Sequence, residues 1–133
     1  NGKVTTVEKN DTSDITGNYI NSNGDMGDDA WGKRADWCML FGKMVNDSVS
    51  IAIIDHPLNK GYPTCWHARG YGLFAANPLG QKIFTNGASV LNFSLQKGAS
   101  VTFRFRVVVY AAQQRLQNKN ISALAKNFAE LYK

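Results

Sequence analysis

The sequence predicts an all-β protein: an antiparallel β-sandwich, complete or part of a larger one, ending in a short amphipathic helix. Three observations lead there. Val101, Phe103, Phe105, Val107 and Val109 alternate with Thr102, Arg104, Arg106 and Val108, the period of a strand with one buried face. Arg34–Met44 places Ala35, Trp37, Met39 and Phe41 on one face and Asp36, Cys38 and Leu40 on the other. Both faces are largely apolar, so this strand belongs inside a sheet rather than at its edge. Ile121, Leu124, Ala125, Phe128 and Leu131 then follow helical spacing, with Asn120 or Ser122 as the expected N-cap.

The remaining elements follow in order. Residues 1–30 are polar, with an edge strand expected near Lys3–Val7 and loops after it. The acidic group Asp25, Asp28 and Asp29 lacks the alternating Asp spacing and closing Glu of a calcium loop, so it reads as a solvated turn. Asn46–Ser48 is a turn, and Val49–Asp55 is the next strand. Short strands are expected at Leu73–Ala76 and Lys82–Phe84. Leu91, Phe93 and Leu95 alternate with Asn92 and Ser94, which predicts a hairpin between residues 90–95 and 101–110 turning at Gly98. Arg104 and Arg106 are expected as a solvated or ion-paired stripe on its outer face. The C-terminal helix is expected over 119–133.

Composition narrows the function. The 133 residues suit one domain or the C-terminal portion of one, and 44% hydrophobic with 19% charged residues is a globular balance. No apolar run approaches the roughly 20 residues of a membrane span. The net charge of +5 comes from scattered Lys and Arg, without the aromatic interleaving of a nucleic-acid groove. The two cysteines, Cys38 and Cys65, form no C-x-x-C pair and are expected to be free thiols. No cofactor and no metal are called for.

Residues 55–80 concentrate the candidate chemistry. All three prolines (Pro57, Pro63, Pro78) and both histidines (His56, His67) fall there, beside Trp66, Arg69, Tyr71 and Asn77. Prolines restrict their own φ and the conformation of the preceding residue, so this loop is built to hold a shape. Asp55 closes an apolar strand face. It is either a carboxylate that accepts amides of the next turn or an acid–base group perturbed by its apolar neighbours. An indole, an imidazole and a guanidinium within Trp66–Arg69 either suit a sugar or sugar acid or are structural, with Trp66 plugging the end of the sandwich and Arg69 pairing with a loop acid. The catalytic candidates are Asp55 and His67; a glycosidase pair would take its second carboxylate from Asp36 or from outside this chain. The binding candidates are Trp66, Arg69, Tyr71, His56 and Asn77. Asp55, His67 and Arg69 are expected on one concave surface, with Trp66 or Tyr71 as its wall.

The runs Trp31–Cys38, Ile53–Asn59 and Pro63–Pro78, continued by Leu95–Gly98 and Phe103–Val109, resemble the bacterial proteins called methane oxygenase PmoA-like. The resemblance covers roughly residues 24 to 112. It implies a periplasmic or secreted protein from a polysaccharide-degrading context, and a longer parent chain of which this is the C-terminal portion. It implies no secure reaction. Tyr62 stands where the family tends to have His, and Tyr110-Ala-Ala stands where it tends to have His-x-Gly.

Three functions compete. The first is a carbohydrate-related protein that binds, or binds and processes, a sugar through the 55–77 loop. The second is a non-catalytic β-sandwich interaction module. The third is a metalloenzyme using Asp55, His56 and His67. A fragment's open sheet edges would also favour a homo-oligomer.

Overall fold

The structure is a computed structural model and describes residues 17–133. Its strands are β1 (Asn18–Asn21), β2 (Trp37–Met44), β3 (Asp47–Asp55), β4 (Cys65–Ala68), β5 (Phe74–Asn77) and β6 (Phe105–Ala112); its helices are α1 (Gln81–Phe84) and α2 (Asn118–Ala129). The all-β class is as expected. β1, β2, β3 and β6 form one antiparallel sheet in that order, and β4 with β5 forms a second. The strand expected near Lys3–Val7 lies outside the described residues.

The larger sheet grows from the β2–β3 hairpin. Met44 pairs with Asp47 across a two-residue turn, and the register runs to Trp37 opposite Ile54. Val45 takes a φ of 59° in this turn, the left-handed position that tight hairpins require. Because the strand period is two, each face of the hairpin finds its own cover. Trp37 and Met39 of β2, Ala52 and Ile54 of β3 and Ile20 of β1 meet Leu116, Ile121 and Phe128 around α2. On the opposite face, Cys38 and Tyr19 meet Trp66 and Ala68 of β4, with Leu40, Ile53, Phe74 and Ala76 packed around them. The sheet is thus covered by a helix on one side and by the β4–β5 hairpin on the other. Each fully buried apolar side chain in these layers contributes about 1.5–3 kcal/mol.

Four expectations require correction. Residues 90–95 form no strand, and β6 pairs with β3 instead, from Ser48 opposite Ala112 to Asp55 opposite Phe105. Alternation shows that a segment is extended with one apolar face, but not which edge it joins, and β3 offered a free edge. Val101–Arg104 leads into β6 without a ladder; the Asn59 side chain takes over, donating to the Arg104 carbonyl (2.6 Å) and accepting the Arg104 amide (2.7 Å). Residues 81–84 form the short helix α1, not a strand. Helix α2 starts at Asn118 with Gln117 at its cap, earlier than Asn120 or Ser122, because the buried Leu116 is anchored by its amide to Ser50 Oγ (3.0 Å). Arg104 and Arg106 are no free stripe: their guanidinium groups lie over the rings of Tyr132 and Phe128, at 4.8 and 4.6 Å. They cover the end of α2 with flat, weakly hydrated cations.

Neither cysteine is bonded, and both are buried. Among the described residues no helix is long and apolar enough to cross a membrane. β6 closes the larger sheet with Val107 and Val109 exposed at 61% and 70%.

Candidate functional site

β3 delivers Asp55 to the end of the sheet, and the chain then wraps around its carboxylate. Oδ1 accepts the His56 amide (2.9 Å) and Asn59 Nδ2 (2.7 Å), while Oδ2 accepts the Thr64 amide (2.8 Å). Asp55 is only 3% exposed. Burial pushes its pKa above the ordinary carboxylate range and the charge of Asp36 adds to the rise, although the three donors pull the other way. His56 is fully buried as well. Its Nδ1 accepts the Leu58 amide (3.1 Å) and its Nε2 sits 2.9 Å from the Leu131 carbonyl. That network places the ring proton on Nε2. The ring packs edge-on against Phe128 and Tyr132. His56 is therefore the clasp between the loop and the chain's end rather than a ligand contact.

Beside this knot lies a cavity of about 340 Å³, walled by Asp36, Asp55 and Tyr62 on the sheet side and by Ser122 and Lys126 of α2. The β2–β3 register sets Asp36 next to Asp55, whose amide donates to the Asp36 carbonyl (2.8 Å). Tyr62 Oη donates to Asp36 Oδ1 (2.9 Å), and burial together with that carboxylate pushes the phenol's pKa up. Tyr62 is held by a loop with little freedom. Gly61 has a φ of 83°, and a Cβ there would stand 2.4 Å from the Pro78 carbonyl oxygen. Arg34 donates to the Pro63 and Tyr62 carbonyls from outside.

His67 and Arg69 do not line this cavity. β4 alternates, so Trp66 and Ala68 point into the core while His67 and Arg69 point to the outer face of the hairpin. Trp66 is fully buried, and its Nε1 donates to the Ala35 carbonyl (2.9 Å). It cannot wall an open site. On the outer face, Asn77 Nδ2 donates to His67 Nε2 (3.1 Å), and the His67 ring stands edge-on to Phe84, 4.7 Å between centroids. Phe84 also meets Trp31 edge-on at 5.3 Å, and the Arg69 guanidinium lies 4.0 Å over Trp31. Tyr71 projects from the hairpin turn, 79% exposed. The single concave surface expected for Asp55, His67 and Arg69 is thus divided into a cavity by the Asp55 knot and an aromatic cluster on the hairpin.

The Asp55, His56 and His67 metal set is not assembled either. Both His56 nitrogens are engaged, and among the described residues no three His, Cys, Asp or Glu side chains are placed to hold a metal ion.

A family model of unknown function, DUF6807, matches residues 6–126. The chain belongs to the DUF6807 family. No curated protein and no solved structure matches it.

In this DUF6807 protein some site residues were within reach of sequence reasoning and others were not. Asp36 opposite Asp55 follows once the turn at Val45–Asn46 sets the hairpin register. The outward direction of His67 and the inward direction of Trp66 follow from strand alternation once β4 pairs with β5. Lys126, Ser122, Trp31 and Phe84 carried no such signal, since each reaches its place by packing between elements distant in the chain.

Proposed function

We propose that this protein binds a sugar or sugar acid in the cavity between Asp36, Tyr62 and Lys126, as a carbohydrate-related protein of the periplasm or cell surface. The observation that carries the reading is the set of polar groups around one partly open cavity of about 340 Å³, within the usual range for small-ligand sites. A carboxylate such as Asp36 accepts two vicinal hydroxyls, Tyr62 fixes its orientation, and Lys126 supplies a cation for a hydroxyl or an acidic group. The cellular setting rests on the resemblance to proteins of polysaccharide-degrading bacteria.

Binding without turnover is favoured by one specific observation. The oxygens of Asp55 already accept three N–H groups of their own loop, so this carboxylate acts as a structural anchor. A glycosidase needs two carboxyl groups free to face the bond, and among the described residues lining the cavity only Asp36 has an oxygen left to do so.

Titration of the protein with a panel of monosaccharides and short oligosaccharides, followed by calorimetry, tests the proposal. Asp36→Asn should weaken the bound sugar by roughly 1–3 kcal/mol, the scale of a hydrogen bond to a charged group, and Lys126→Ala should weaken acidic sugars more than neutral ones. Equal affinity in the parent and both variants would place the sugar elsewhere.

A further inference from the structure

We infer that the outer face of the β4–β5 hairpin is a second site, one that takes the carboxylate of a uronic acid unit in a glycan. Two N–H donors, on Arg69 and His67, lie on that outer face without acceptors among the described residues. The Arg69 guanidinium stacks on Trp31 but has no hydrogen bond or ion pair among the described residues. Trp31 Nε1 also lacks an acceptor among them but is buried, so Trp31 serves as the ring beneath the guanidinium and not as a ligand donor. With the Asn77 amide nitrogen on Nε2, the proton of neutral His67 sits on Nδ1, which also has no partner among the described residues.

The three groups share one patch. His67 and Arg69 lie two residues apart on the outward face of the hairpin, and Trp31 and His67 both pack edge-on to Phe84. The close approach of α1 is deliberate in the packing: a Cβ at Gly80 would stand 2.6 Å from both Asn77 Nδ2 and Phe84 Cε2. Asp28 comes near Gly70 yet pairs with neither donor.

Unmatched donors call for an acceptor-only ligand, and a carboxylate matches the planar fork of Arg as no neutral hydroxyl does. The choice of a glycan over an acidic peptide comes from Tyr71. Its ring stands 79% exposed two residues beyond Arg69, a flat surface suited to the apolar face of a pyranose. The cavity at Asp36 plays no part in this site.

The test follows indole N–H signals of the ¹⁵N-labelled protein by NMR during titration with glucuronate, glucose and a glutamate-rich peptide. The Trp31 signal, identified by its loss in Trp31→Phe, is expected to move with glucuronate and not with glucose. Arg69→Gln should weaken that response on the order of tenfold or more, and Arg69→Lys, which keeps the charge but not the fork, should weaken it too. The signals of Trp37 and Trp66, both buried in the core, report whether each variant remains folded. Asp36→Asn should leave the Trp31 response unchanged, so loss of the cavity reading and loss of this one are separable. A Trp31 signal that stays still with glucuronate, moves equally with glucose, or responds more tightly to the peptide would overturn the inference.

Discussion

Replacing Asp55 by alanine tests whether this residue is an anchor or a reactive group. The change removes acceptors from the His56 amide, the Thr64 amide and Asn59 Nδ2. Asn59 keeps its bond to the Arg104 carbonyl, but His56 and Thr64 are both fully buried, so two buried amides lose their partner. Each such donor costs about 1–3 kcal/mol. Relief from burying a carboxylate offsets part of the total. A net loss near ~3 kcal/mol is expected, a large share of the roughly 5–15 kcal/mol that holds a domain of this kind together. Asp55→Asn should cost less, because its oxygen still accepts from His56 and Asn59 while its nitrogen faces the Thr64 amide donor to donor. Urea unfolding followed by tryptophan fluorescence measures both values, since Trp37 and Trp66 are buried. An Asp55→Ala midpoint within about 0.5 kcal/mol of the parent would refute the anchor.

Two further outcomes are expected. Burial places the folded-state pKa of Asp55 above its unfolded value, so the folded chain holds the extra proton. The associated stability is fully present below the unfolded pKa, roughly 3.9, and is lost as pH rises through the folded one; parent-minus-Asp55→Asn stability, measured across that window, should fall with rising pH, and a flat difference would contradict it. Burial also pushes the Cys38 thiol up to about 12 and raises that of Cys65. Neither should react with a thiol reagent near neutral pH until denaturant is added, and rapid labelling of the native chain would show that the β4–β5 cover opens.

Among the described residues no strand pairs with the outer edge of β6, which bears on the expected self-association. Val107 and Val109 are exposed beside it, which are features that favour pairing. Arg104 and Arg106, lying over Tyr132 and Phe128, place positive charge on and just before the same strand and so work against two copies joining there.

Local pattern alone determined what could be read without the fold. Alternation in Arg34–Met44 and Val49–Asp55 specified two strands and which residues share each face, and the spacing of Ile121, Leu124, Ala125 and Phe128 specified a helix with one apolar side. Residues 65–68 read as loop, so the inward turn of Trp66 and the outward turn of His67 came only with the pairing of β4 and β5. Pairing was not local. The backbone donors of an extended segment are alike whichever edge receives them, so nothing in residues 90–110 distinguished a hairpin about Gly98 from the addition of β6 to β3. β1 was hidden for a related reason, because only Tyr19 and Ile20 interrupt its polar run and their partners come from β2. The sites depend on the same long-range choices. Asp55 looked reactive beside apolar neighbours, yet the amides of His56 and Thr64 and the Asn59 side chain close on it once the loop folds. Lys126 reaches the cavity, and Trp31 meets Arg69, only because α2 and the segment before β2 pack against opposite parts of the core. Tertiary structure decided these contacts because burial energy is a property of surfaces brought together, and a single segment carries only one of the two surfaces.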